Sequence, residues 1–202
     1  MSVITIPLDI QLTPRSLAIM DALGRAPNPQ FVAPDDPAEQ AVSDQVTATL
    51  SAPVAPGAYW PEHDAWYAGL QMTPDGRCWH VLVPKVHIEA LKDVQWGRYG
   101  TSVDGAADVY DGLANTQAMV DAGLELAETV HALGEGLYLP SRAEALLMFD
   151  TLKEQIGEGI VWTSTQYSAL LAWCQGFSYG RQLIHGKDCE LRAVPVRCIQ
   201  IV

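Results

Sequence analysis

The sequence predicts an α+β fold, with two helices packed on antiparallel β-sheets and an extended N-terminal arm in front. Three observations carry this reading. Thr73-Pro74-Asp75-Gly76 lies between two strand-like runs, Trp66-Tyr67-Ala68-Gly69-Leu70 and Trp79-His80-Val81-Leu82-Val83, which together spell a β-hairpin. Ser141 and Glu144 have the S-x-x-E spacing of a capping box, in which each side chain satisfies the other residue's free backbone amide. Beyond residue 157, short strand-like runs follow one another to the end of the chain.

Taken in order, residues 3–12 alternate apolar and smaller or polar side chains, as a short strand does. Thr13-Pro14-Arg15 reads as a helix start, with Thr at the cap and Pro at the first helical position, and Gly24 ends the short helix over 16–23. Residues 25–57 are rich in Pro, Ala, Asp and Gln, a composition that buries too little surface to hold itself and reads as a linker or arm. The predicted layout is therefore 1–24 strand and short helix, 25–57 arm, and 58–202 compact domain.

Inside that domain, Asn115 is placed to cap a helix running to about Leu133, with Gly134 as its stop. Met119, Val120, Ala127, Val130 and Leu133 would form its buried face, with Asp121, Glu125 and Glu128 opposite. The helix opened by Ser141 would bury Leu146, Leu147 and Phe149 and end near Gly157. Strands are expected at about 160–165, 170–177, 182–185 and 190–201, with Ser178-Tyr179-Gly180 as the tightest turn.

Composition narrows the function. The 24 acidic and 12 basic residues give a formal charge of −12, which argues against direct nucleic-acid binding, since that draws on clustered Lys and Arg. A basic protein partner, or mimicry of nucleic acid, stays compatible with that charge; the acids are scattered, as on a solvated surface. No apolar run reaches the length of a membrane span, and the N-terminus has neither the basic start nor the cleavage site of a secretory signal. Cys78, Cys174, Cys189 and Cys198 form no CxxC pair and read as reduced thiols; a Cys174–Cys189 or Cys189–Cys198 bridge would need adjacent strands to pair them.

A search for chemistry finds little. Phosphate loops, dinucleotide fingerprints, nucleophile elbows and HExxH helices are absent from the sequence. His185-x-x-Asp188-Cys189 brings three metal-capable groups close in sequence, but alternation along a strand would aim them at opposite faces. His63 and Asp64 suggest an acid/base pair or, more simply, a hydrogen bond that orders a loop. Ser141 precedes a helix and reads as its cap, not as a nucleophile. The expectation is a non-enzymatic protein with no catalytic residue, cofactor or metal.

A surface is what remains. Tyr167, Gln175, Tyr179, Arg181, Gln182, His185 and Lys187 cluster in the C-terminal strands and their turn, and are the candidate ligand-binding residues. Trp173 and Phe177 share a strand face by spacing and are assigned to the core. Tyr179 and Arg181, in the turn, are the residues most expected to be exposed.

The order of motifs also carries a resemblance. Tyr59-Trp60-Pro61-Glu62, Tyr67-Ala68-Gly69 and Trp96-Gly97-Arg98-Tyr99-Gly100 come first. Asp111-Gly112-Leu113-Ala114-Asn115-Thr116 and Tyr138-Leu139-Pro140-Ser141-x-x-Glu144 follow, and then Trp162-x-Ser164-Thr165, Ala172-Trp173, Phe177-x-x-Gly180, Lys187 and Val196-Arg197. Over about residues 58–202 this order resembles the domain at the C-terminus of the Legionella collagen-like adhesin, most of all its tailed-phage and prophage versions. The resemblance implies a C-type-lectin-like fold, related to that of formylglycine-generating enzymes. In it the Ser141–Glu144 helix start and the Trp162-x-Ser164-Thr165 strand are structural, and loops near the C-terminus present the ligand surface. For the adhesin domain it implies glycosaminoglycans and other polyanions as ligands, against which the acidity of this chain stands. The sugar-holding motifs of calcium-dependent lectins and the paired cysteines of formylglycine-generating enzymes have no counterpart here.

The functional expectation is a phage or prophage binding protein, placed in the virion as a tail-associated receptor-binding or accessory component. Its partner would be a protein or host-surface ligand, with other virion proteins held through the N-terminal arm and a homo-oligomer, such as a trimer, on a tail. The alternative is an intracellular phage protein in the host cytoplasm that inhibits or redirects a defence or nucleic-acid-handling protein. An enzyme of unknown type on this fold, using His63 or Cys189, is the third reading.

Overall fold

The computed structural model describes residues 54–89 and 91–201, so the expected strand, short helix and most of the arm in residues 1–53 lie outside the described residues. The hairpin forms where the turn chemistry puts it. Strands β2 (Ala65–Met72) and β3 (Cys78–Pro84) pair antiparallel around Thr73-Pro74-Asp75-Gly76, with Thr73 N and Gly76 N closing the turn onto Arg77 O and Thr73 O. The short β1 (Tyr59–Trp60) flanks β2, and β9 (Arg197–Gln200) flanks β3, giving a four-stranded sheet in the order β1-β2-β3-β9. Residues read as the end of the arm already belong to this unit: Gly57 N donates to Tyr67 O, and Val54 packs against Trp60, Tyr67 and Leu82.

The second sheet is five-stranded, β4-β8-β5-β6-β7, from Leu91–Gln95, Glu190–Ala193, Ile160–Gln166, Leu171–Gly176 and Gln182–Gly186. The run expected as one strand over 190–201 is two strands in two sheets, because Val194-Pro195-Val196 carries the chain across. Val196 there makes an isolated bridge to Tyr138. The sheets are not wholly antiparallel either: β5 and β8 pair in parallel, Val161 opposite Arg192.

Among the described residues three α-helices replace the two expected in the 58–202 domain. The segment foreseen as one helix from Asn115 to Leu133 divides into α1 (Gly112–Asp121) and α2 (Glu125–Ala132) at Gly123, whose φ of +69° breaks the helical path. Asp111, not Asn115, caps α1, accepting from Ala114 N. Asn115 is instead buried one turn in. Its amide bridges Asp108 N and O and reaches Ser164 and Thr165 on β5. α3 (Arg142–Ile156) has the full capping box on Ser141 and Glu144 and ends at Gly157. Its buried stripe is Ala145, Met148, Leu152 and Ile156, four residues apart or nearly so, as a helix face requires. Leu147 and Phe149 are only partly covered and Leu146 is 48% exposed, so the face expected from sequence is turned by about one position.

Two cores result. Trp96, Met119, Leu126, Val130, Trp162 and Cys174 pack between α1, α2 and the five-stranded sheet. Trp79, Val81, Val83, Met148, Leu152, Phe177 and Val196 pack where α3 meets both sheets. A buried carboxylate is bonded to the second of them. Glu144 accepts from Trp79 Nε1 at 2.8 Å, Tyr138 Oη at 2.7 Å and Ser141 N at 2.8 Å, tying β3, the 138 bridge and the α3 cap to one group. Burial pushes the Glu144 carboxyl above its ordinary range and the Tyr138 hydroxyl well above its own.

Candidate binding surface

The β6–β7 hairpin and the residues just before it carry exposed recognition-type side chains, and α3 braces the hairpin. Parity along β6 explains the arrangement. Ala172 and Cys174 turn into the core, so Trp173 points to the other face, beside Ile184 of β7. Arg142, the first residue of α3, lays its guanidinium over the Trp173 ring at 3.5 Å. Its Nε and Nη2 both donate to Gln182 Oε1, at 3.1 and 2.8 Å, while Gln182 Nε2 returns a bond to Arg142 O at 2.8 Å. Tyr167, 55% exposed, stands edge-on to Trp173 with ring centroids 5.4 Å apart. The result is a rigid row, Tyr167–Trp173–Arg142–Gln182, on one face of the hairpin.

Of the residues expected at this surface, Tyr167 and Gln182 are in that row, and Tyr179 stands at the hairpin tip, 87% exposed. Arg181 beside it is also exposed, and His185 is half-buried near the sheet edge. Gln175 and Lys187 are corrections, because both are fully buried and neither can meet a ligand. Gln175 donates to Gly176 O, and its Oε1 has no partner among the described residues. Lys187 Nζ donates to Thr101 O and Gln166 Oε1, each at 2.6 Å, and sits 4.4 Å from the Trp96 ring centre. No carboxylate among the described residues pairs with it, and burial lowers its pKa to about 8. Lys187 thus anchors the 96–101 loop to the end of β7.

Trp173 and Arg142 were not legible as surface residues. Trp173 looked like a core partner of Phe177, but β6 stops at Gly176 and strand parity does not continue into the turn. Arg142 meets positions 173 and 182 only through the packing of α3 on the hairpin, and no sequence spacing joins them.

The chemical candidates dissolve on geometry. Asp64 accepts from Tyr59 Oη, and His63 packs edge-on to Trp60 at 4.6 Å, so the expected His63–Asp64 hydrogen bond is not made. All four cysteines are free, with Cys174 buried and its thiol pushed up to about 12. Among the described residues no group of three His, Cys, Asp or Glu side chains comes together to hold a metal, His185, Asp188 and Cys189 included. A cavity of about 430 Å³ lies beneath the 96–101 loop, lined by Trp96, Arg98, Thr101, Val103, Leu124 and Glu125. An open groove of about 510 Å³ runs between β2 and α3 along Leu70, Met72, Leu146, Leu147 and Phe149. Neither brings a histidine or cysteine to its walls. Among the described residues no helix is long and apolar enough to cross a membrane. No protein-family model matches the sequence, and no curated protein matches it as a relative.

Proposed function

We propose that the chain is a non-enzymatic binding protein of a phage or prophage, with a C-type-lectin-like domain that presents its β6–β7 hairpin to a partner. The observation that carries the reading is the hairpin tip. Tyr179 is 87% exposed beside exposed Arg181, on a hairpin held by the Arg142–Trp173–Gln182 contacts. A large aromatic ring in water gains nothing by itself, whereas Tyr and Arg on a rigid support supply contact area and hydrogen bonds at low entropic cost. In this reading the protein is a virion component, tail-associated, whose hairpin touches a host-surface ligand. Peptide mass spectrometry on gradient-purified particles tests the placement, and Tyr179→Ala with Arg181→Ala tests the surface. Presence at tail-protein stoichiometry and reduced adsorption are expected. Absence from particles, or adsorption unchanged by the double substitution, defeats the respective half.

The second reading, an intracellular protein that binds and redirects a basic host factor, draws on the net charge of −12 and the four unpaired thiols. A pull-down from infected cells that returns a basic host protein, with the chain absent from particles, favours it.

A further inference from the structure

One outer edge of the five-stranded sheet is β7. β7 has β6 on one side, and among the described residues no strand on the other. The ladder fixes which groups face outward. Gly176 N donates to Arg181 O and Lys187 N donates to Leu170 O, so the bonded pairs alternate through 174/183 and 172/185. Gln182 and Ile184 therefore turn both backbone groups away from β6, and Gly186 its N–H, while the Gly186 carbonyl accepts from Cys189 N at 2.9 Å. Exposed edges of this kind are commonly blunted by Lys, Pro, a bulge or an inward charge. β7 reads Gln-Leu-Ile-His-Gly, has no register shift against β6, and leaves Ile184 39% exposed.

Charge at the Gln182 end of this edge is the reverse of the whole chain's. Residues 159–187 contain no Asp or Glu, although the protein has 24 of them, and they carry exposed Arg181; Lys187 is buried, and exposed Asp188 lies at the far end beside Gly186. Arg142 adds a second cation from α3. Its Nε and Nη2 go to Gln182, and Nη1 donates to no described residue; nor does any carboxylate among the described residues pair with the guanidinium. Gln182 and Ile184 share the sheet face on which that guanidinium lies.

We propose that β7 is a strand-addition site for an extended, acidic segment of a partner protein. The incoming chain pairs its backbone with Gln182 and Ile184, and with the Gly186 N–H, about 4.8 Å beyond β7. It places a carboxylate opposite Gln182, toward Arg142, and an apolar side chain two residues away against Ile184. The recognised pattern is thus an acidic and an apolar residue alternating with period 2. An unpaired backbone edge selects a polypeptide over a polyanionic sugar, because only a second main chain offers donors and acceptors at the ladder spacing. The proposal rests on the binding-surface reading above and names the partner class for it.

The test uses the full chain and a fluorescein-labelled peptide, Val-Thr-Val-Thr-Glu-Thr-Val-Thr-Val, with its central Gln counterpart as control. Saturable binding by anisotropy is expected, weakened about tenfold by the Glu→Gln change and by Arg142→Gln, the loss of one charge-assisted contact. Slowed hydrogen exchange at the amides of Gln182, Ile184 and Gly186 should accompany it. Ile184→Pro removes the central outward donor, and Ile184→Glu replaces the apolar contact with a charge that repels the acidic segment without changing the backbone; both should abolish binding. Equal binding of the Glu and Gln peptides, or no binding of either, overturns the proposal. A wild-type chain that sediments as a dimer and becomes monomeric in both Ile184 variants overturns it too, by making a second copy the occupant. If peptide binding fails while adsorption still depends on Tyr179 and Arg181, strand addition alone falls. If the peptide binds but the protein is absent from particles, the attachment reading alone falls.

Discussion

Glu144→Gln is the substitution that asks most of the fold, since it alters no volume. The carboxylate receives three donors: Trp79 Nε1 and Tyr138 Oη on one oxygen, Ser141 N on the other. An amide offers one acceptor side and one donor side. With its oxygen toward Trp79 and Tyr138, its NH2 faces the Ser141 amide and the capping box opens. Reversed, the NH2 faces the indole N–H, and only the Tyr138 hydroxyl can turn to accept. Either way one buried donor loses its partner, at roughly 1–3 kcal/mol, and the charge-assisted bonds that remain become neutral ones. Against this stands relief of a buried charge, the same burial that raises the Glu144 pKa. The net expectation is a loss of about 2 kcal/mol at pH 7, which moves the urea midpoint down by roughly 1 M with an unchanged slope. Tryptophan fluorescence follows it directly, because Trp79 is itself a donor to the carboxylate. The pH dependence has a definite sign. A raised folded pKa means the native state binds the proton more tightly, so this group's contribution is complete below the unfolded value of about 4.5. It declines as pH rises through the folded pKa, and the gap between wild type and the Gln variant should narrow over that interval. A midpoint shift below about 0.2 M at pH 7 would refute the assignment of Glu144 as the tie between helix and sheet.

Four further substitutions probe three separate features. Gly112→Ala should lose about 1–3 kcal/mol, although alanine is the better helix former: its Cβ would meet Glu144 Oε2 and approach Leu139 O and Ser141 N to 2.6 Å, and thermal unfolding decides the sign. Lys187→Met compared with wild type from pH 7 to 11 should show the wild type gaining relative stability between about pH 8 and 10.5. There the unfolded lysine is still protonated and the buried one is not; the gain is at most about 3 kcal/mol, and a flat difference refutes the buried, carboxylate-free ammonium. On α3, Met148→Ala should cost about 2–5 kcal/mol and Leu146→Ala no more than about 0.5 kcal/mol, because Met148 is fully buried and Leu146 is 48% exposed; similar losses in urea unfolding would return the buried face to the one expected from sequence.

Local chemistry made part of the fold readable. The 73–76 turn and the Ser141–Glu144 box are decided by residues within a few positions of one another, and both form as their spacing predicts. Reading failed where the decisive partner is distant. Asn115 has the side chain of a cap, but Asp111 takes that role and the Ser164-Thr165 segment claims Asn115, some fifty residues away. Gly123 inside an apolar pattern is tolerable in a helix, and only the turn of Leu124 back onto Met119 O makes it a break. At the candidate surface, Tyr179 and Arg181 were visible because turn residues have nowhere to be buried. Lys187 was misplaced because a polar side chain announces solvent unless the structure supplies acceptors from loops far off in sequence, as Thr101 does; Gln175 is buried with only the neighbouring Gly176 O as acceptor, which no spacing announces.

The passage of the chain from β8 to β9 decides when this molecule can be finished. β8 lies between β4 and β5 in one sheet, and β9 closes against β3 in the other, with Arg197 Nη2 donating to His63 O across 134 positions of sequence. Until residues 190–200 leave the ribosome, strands β3, β4 and β5 each lack a neighbour they have in the completed fold. Their unpaired backbones are then available to any passing chain. Folding must wait for residues 190–200, and the interval between the synthesis of β3 and of β9 sets how long that exposure lasts.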